Sequence, residues 1–180
     1  MARSFPLDSA RLSDAQRRVV DEVRAGRRGT VPANVVAWLP SPELARRAAH
    51  LGEFVRYETS LPARLSELAI LVVARHWSCA YEWAVHAGEA ASAGLSDAVI
   101  DAIADGAVPI LEGREETVYD FARVLAATGR VPDAAYERAI EVLGEAGVVD
   151  LIGVVGYYTL VAFTLNAREV PAPEGAPRLP

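Results

Sequence analysis

Apolar residues recur with a helical period along most of the chain. Between Ser9 and Arg24 they fall at Leu12, Val19, Val20 and Val23 among charged neighbours, which predicts an amphipathic helix ending in the Gly26 to Gly29 loop. Thr30 to Pro40 carries two prolines and Trp38 and is expected to wrap across other elements without regular structure. A helix then starts clearly: Ser41 suits the N-cap, Pro42 the first helical position and Glu43 the positive end of the dipole, with the end near Tyr57. Pro62 opens the next helix, whose middle, Leu68 to Ala74, is apolar on every side and must be packed all round. Ser78 is placed as the N-cap of a further helix. Gly94 fits a left-handed cap, and Ser96 starts a short helix through Val99, Ile100 and Ile103 to Gly106. Glu115 to Thr128 closed by Gly129, Pro132 to Gly144, and Val148 to Ala167 complete the series. No stretch alternates in the manner of a strand. The prediction is an all-α protein of six to eight helices around the two that carry Glu67 and Cys79. Residues 1–40 would form an N-terminal helical arm and wrapping segment, 41–168 the main helical domain, and 169–180 a proline-rich tail extended over the surface or a neighbouring subunit.

Composition narrows what such a bundle can do. A chain of 180 residues with 52% hydrophobic content has enough apolar mass for one sizeable core. The net charge of -6, with no long run of either sign, argues against a nucleic-acid surface, so the expected partner is a small molecule. All 18 basic residues are arginine. The absence of lysine excludes Schiff-base chemistry and a phosphate loop that needs its lysine. A single cysteine cannot form an intrachain disulfide, which suits a cytoplasmic location. The N-terminus lacks the apolar run of a signal peptide, and the longest apolar segment, Leu151 to Leu165, falls short of the roughly 20 residues needed to span a bilayer. It reads as a buried helix, in which Gly153 and Gly156 suggest close approach of a neighbouring helix.

Candidate chemistry crowds into ELAILVVARHWSCAYEWAVH, Glu67 to His86. With Ser78 as cap, Cys79, Glu82 and His86 stand at i, i+3 and i+7, within roughly 60° of one another on a helix face. The first turn would stabilise a thiolate at Cys79, although most lone cysteines are small buried hydrophobes. His86 would be oriented by Glu82 and would give or take a proton near neutrality; otherwise it is a hydrogen-bonded core histidine. Glu67 is either a desolvated carboxylate poised as a base or a solvated residue favoured by the helix dipole. Trp77, Tyr81 and Trp83 supply an apolar aromatic setting for a small cyclic ligand, and Arg75 or Arg56 a hold for an acidic group. Metal binding by Cys79, Glu82 and His86 has ligand-like spacing but is incomplete, so no metal and no cofactor are expected.

These residues resemble the carboxymuconolactone decarboxylase family, which includes the alkylhydroperoxidase-D-like proteins. The peroxidase branch reads Glu, eleven residues, Cys-x-x-Cys-x-x-x-His; this chain reads Glu67, eleven residues, Cys79-Ala-Tyr-Glu82-Trp-Ala-Val-His86. The following HAGEAASAG is similar to the family's His, seven residues, Gly. The C-terminal GYYTLVAFTLNAREVPAPEG is similar to longer members with Tyr-Glu-Trp before the histidine. The core resemblance covers about Ser41 to Gly129. It implies an alkylhydroperoxidase-D-like helical bundle and a homo-oligomer, trimeric or hexameric, with the site near a subunit interface.

Glu82 stands where the peroxidase branch has its second cysteine, so a dithiol cycle within the chain is excluded. The resemblance, with the carboxylates and His86, implies acid–base chemistry: Glu67 or Glu82 and His86 would shuttle a proton during decarboxylation or isomerisation of a small cyclic compound, a lactone or a carboxylated ring. One alternative is a single-cysteine peroxidase acting through a sulfenic acid at Cys79, resolved by an external thiol. Another is a non-catalytic binding or assembly protein on the same fold.

Overall fold

The computed structural model describes Arg3, residues 7–177 and Leu179. The N-terminal expectation falls partly on residues 1–2 and 4–6, and the tail includes Arg178 and Pro180; these lie outside the described residues. After a short 3-10 turn, the described residues form eight α-helices and no strand: α1 (Asp14–Ala25), α2 (Ala33–Trp38), α3 (Pro42–Tyr57), α4 (Ala63–His76), α5 (Ala80–Ser92), α6 (Asp97–Ala104), α7 (Gly113–Thr128) and α8 (Asp133–Ala167). The expected all-α bundle is the observed fold.

Leu65 to Ala74 are all buried, which makes α4 the axis of the bundle. It packs against α7, α5, α8, α6 and α3, as a helix apolar on every side requires. Leu68, Ala69, Leu71 and Val73 are completely enclosed. The N-terminal helices lie against α3 and α8. There Trp38 Nε1 donates to Thr164 Oγ1 at 2.8 Å, and Arg168 Nη2 donates to the Ala37 carbonyl at 2.8 Å.

Several local expectations are corrected. Thr30 to Pro40 is not irregular, because α2 forms within it, with Pro32 as its N-cap. Ser41 precedes α3 but makes no side-chain cap bond. Ser78 does not cap α5. It closes α4 in the left-handed conformation (φ 48°), with its N–H on the Arg75 carbonyl at 3.1 Å and the next N–H, of Cys79, on the Ala74 carbonyl at 2.8 Å. This is the double bond of a Schellman closure, usually built on glycine. Cys79 is consequently the N-cap of α5, outside its first turn. The break expected between the two C-terminal helices, by contrast, is present: α8 consists of two helical stretches that meet at a kink at Gly144, whose φ of 74° and ψ of 169° interrupt the helical geometry.

Gly153 and Gly156 do not mark a close helix contact within the chain, since a Cβ at either would meet nothing within 4 Å. They lie beside exposed Val149, Ile152, Leu160 and Phe163. The close approach occurs at Gly52, where a Cβ would collide with the Tyr157 hydroxyl and ring. This contact sets the approach of α3 to α8. The α8 helix also extends beyond Leu151 to Leu165. It is the only described helix that is long and apolar enough to cross a membrane by length and composition, with 50% of that window buried inside the protein.

Candidate functional site

The tight α4–α5 connection brings the buried face of α4 against the buried face of α5. Glu67, in the second turn of α4, and His86, near the middle of α5, meet there: His86 Nδ1 lies 2.7 Å from Glu67 Oε2. A carboxylate accepts, so this bond places the imidazole proton on Nδ1 and leaves Nε2 as the free nitrogen. Nε2 stands 3.6 Å from Glu82 Oε2, one turn earlier on α5. That separation is within ion-pair range but long for a hydrogen bond. Glu67, Glu82 and His86 are only 7%, 6% and 2% exposed, so the solvated alternative for Glu67 does not hold.

Burial pushes the Glu82 carboxyl above its ordinary value of 4.5; His86, Arg28 and Arg56 pull it down, and Glu67 adds to the rise. Its protonated form is thereby favoured, so that Glu82 can supply a proton beside Nε2. The edge of the His86 ring relationship is closed by Tyr158, with centroids 5.0 Å apart and planes at 87°. Burial raises the Tyr158 hydroxyl well above its usual range and that of Tyr157 up to about 12, so both stay protonated. Tyr157 accepts from Asn34 Nδ2 at 3.3 Å. The Tyr158 hydroxyl is enclosed and, among the described residues, has no hydrogen-bond partner.

Glu82 and His86 line a cavity of about 360 Å³. Its walls include Tyr81 and Glu89 from α5, Arg56 at the end of α3, Arg28 from the α1–α2 loop, Asn34 from α2, and Tyr157 and Tyr158 from α8. Glu67 does not line it but stands behind His86. A small organic ring suits these dimensions and this mixture of aromatic faces and convergent polar groups.

The sequence-named residues divide around this cavity. Glu82, His86 and Tyr81 line it, and so does Arg56, which pairs with Glu89 at 3.0 Å. Trp77 caps α4, donates from Nε1 to Thr159 Oγ1 at 3.3 Å and sets its ring against Phe163, away from the cavity. Trp83 is 1% exposed in the core. Arg75 donates from Nε to the Ala104 carbonyl at 2.8 Å and lies under Gly106 on another surface. Cys79 is fully buried and outside the cavity lining, and desolvation pushes its thiol up to about 11. Among the described residues, no group of three or more His, Cys, Asp or Glu side chains is arranged to hold a metal ion.

Arg28, Asn34, Tyr157 and Tyr158 were not legible as site residues. The nearest sequence signals are Gly52, an interior helix glycine that admits Tyr157, and the adjacent tyrosines in an otherwise apolar helix.

No curated protein matches the chain. Residues 42–124 match the model of the carboxymuconolactone decarboxylase family. From the start of α3 into α7, and including Glu67, Glu82 and His86, the chain is therefore a domain of the carboxymuconolactone decarboxylase family, to which the segments on either side add Arg28, Asn34, Tyr157 and Tyr158.

Proposed function

We propose that the protein is an acid–base enzyme that decarboxylates or isomerises a small cyclic compound, a lactone or a carboxylated ring. The observation that supports this most is the buried line Glu67, His86, Glu82, of which His86 and Glu82 face a cavity of about 360 Å³. Loss of CO2 from a ring carboxylate leaves electron density that must be protonated at carbon or oxygen, and isomerisation requires a proton to be taken and returned. In this role Glu67 is a positioning residue that fixes the imidazole through Nδ1. His86 Nε2 and the Glu82 carboxyl, 3.6 Å apart, hold the mobile proton. Exclusion of water strengthens each of these interactions.

The peroxidase alternative draws little support from the geometry. Peroxide reduction needs an accessible thiolate, whereas Cys79 is enclosed, outside the cavity lining, and has its thiol pushed up to about 11. The test of the preferred reading is incubation with carboxylated lactones and β-keto acids while following CO2 release, and with simple lactones in D2O while following deuterium uptake. Activity in either assay that disappears in His86→Ala supports acid–base catalysis. Equal rates in the two proteins, or none in either, remove it.

A further inference from the structure

Within the cavity, the groups best placed to recognise a ligand come from outside the family domain. Arg28, in the loop between α1 and α2, lines the cavity with its side chain half-buried. Its Nη2 donates to the Gly52 carbonyl at 3.2 Å, and among the described residues no carboxylate forms an ion pair with it. Arg56 differs, because Glu89 already neutralises it at 3.0 Å. A half-buried guanidinium with a single neutral acceptor has donors left for an anion. Glu82, the carboxylate nearest the imidazole, is biased by burial towards its neutral form and so offers an incoming anion less repulsion.

Tyr158 contributes the second group. It lines the same cavity, packs its ring against His86 at 5.0 Å, and carries an enclosed hydroxyl with no hydrogen-bond partner among the described residues. A buried hydroxyl left unpaired is costly, and such groups in native proteins call for an explanation. The charged groups whose fields act on it, Glu82, Glu67, Arg56 and Arg28, are those of the site and its immediate support. The protonated phenol is available to donate to a ligand oxygen.

We propose that Arg28 and Tyr158 form a recognition pair for a small organic acid: Arg28 takes its carboxylate, and Tyr158 donates a hydrogen bond to a carbonyl oxygen elsewhere on the ligand, beside His86. This rests on the reading of the cavity as the acid–base site and defines the substrate class it admits. The pair is supplied by α8 and the α1–α2 loop, so substrate choice is set by segments flanking the family domain, while the proton-transfer groups lie within it.

The experiment is calorimetric titration of the full chain with three probes: 4-oxocyclohexanecarboxylate, cyclohexanecarboxylate and cyclohexanone. The keto acid should bind wild type most tightly. Arg28→Gln should weaken both acids about tenfold or more and the ketone less than about twofold, while Arg28→Lys restores part of the loss. Tyr158→Phe should weaken the two carbonyl probes by about five-fold and leave cyclohexanecarboxylate within about twofold. Its melting temperature should not fall, whereas a hydroxyl with a structural role would lower it. Failure of either acid to bind wild type, equal weakening of all three probes by Arg28→Gln, or carbonyl probes indifferent to Tyr158→Phe would overturn the pair. His86-dependent turnover with binding insensitive to both residues overturns the pair alone. The expected binding pattern without His86-dependent turnover supports the pair and overturns the acid–base reading alone.

Discussion

His86 Nδ1 and Glu67 Oε2 lie 2.7 Å apart, on side chains 3% and 9% exposed, and join two helices of the bundle at the base of the cavity. The bond fixes which imidazole nitrogen faces the ligand. Glu67→Gln keeps the shape but replaces the accepting carboxylate by an amide, which can present its donor group to Nδ1 and change the tautomer. The expected outcome is a fall in kcat of about ten- to hundred-fold with KM changed less than about twofold. Because Glu67 acts through His86, the double variant Glu67→Gln/His86→Ala should be no slower than His86→Ala alone. Steady-state kinetics of the set checks this, and additive losses would separate the two residues.

Glu82 gives the fold a pH dependence of defined sign. Its carboxyl is raised above 4.5 by burial, so between 4.5 and the raised value the folded state binds more protons than the unfolded state. Glu82 therefore contributes stability that is fully present below the unfolded value and is lost as pH rises through the folded one. Glu82→Gln removes this loss. Denaturant melts of both proteins from pH 4 to 8 should show the variant gaining on wild type with increasing pH; a difference that is flat, or that moves the other way, counts against a protonated Glu82.

Cys79 should behave as a core residue. Its thiol, pushed up to about 11 by desolvation, should remain unlabelled by dimedone after peroxide treatment and become reactive only when the protein unfolds. Cys79→Ala should retain turnover and lose about 1 kcal/mol of stability from the missing buried atom. A folded-state thiol that titrates below about 8.5 and labels with dimedone would revive the peroxidase reading.

Gly52 is the helix position at which size controls the site. An added Cβ meets the Tyr157 hydroxyl and ring, so Gly52→Ala must displace a residue of the cavity wall. Overpacking of this kind costs about 1–3 kcal/mol, partly offset by the roughly 1 kcal/mol that alanine gains over glycine in a helix. The expected result is a net loss of stability, relieved in part by Tyr157→Phe. Equilibrium unfolding of the single and double variants measures both effects, and a stabilised Gly52→Ala would mean that Tyr157 has room to move.

The helical period made the buried Glu67, His86, Glu82 cluster legible, because Glu82 and His86 are one turn apart and Glu67 enters the same buried surface from α4. Their neighbours in sequence misled for the same reason. Trp77 ends α4 and turns to Phe163, while Trp83, the residue after Glu82, is buried in the core and does not line the cavity. The α4–α5 closure was hidden because Ser78 adopts a left-handed conformation usually signalled by glycine. Arg28 and Tyr158 are far from Glu82 in sequence, and α8 is apolar around much of its circumference. Only packing against α4 and α7 decides which of its faces reaches the cavity.

The most direct measurement is kcat/KM for wild type and His86→Ala on a carboxylated lactone or β-keto acid that the wild type turns over. A general acid–base residue in this position predicts a loss of about 10²- to 10⁴-fold, mostly in kcat, with the fold intact by circular dichroism. A folded His86→Ala that turns over at the wild-type rate would contradict proton transfer at this imidazole.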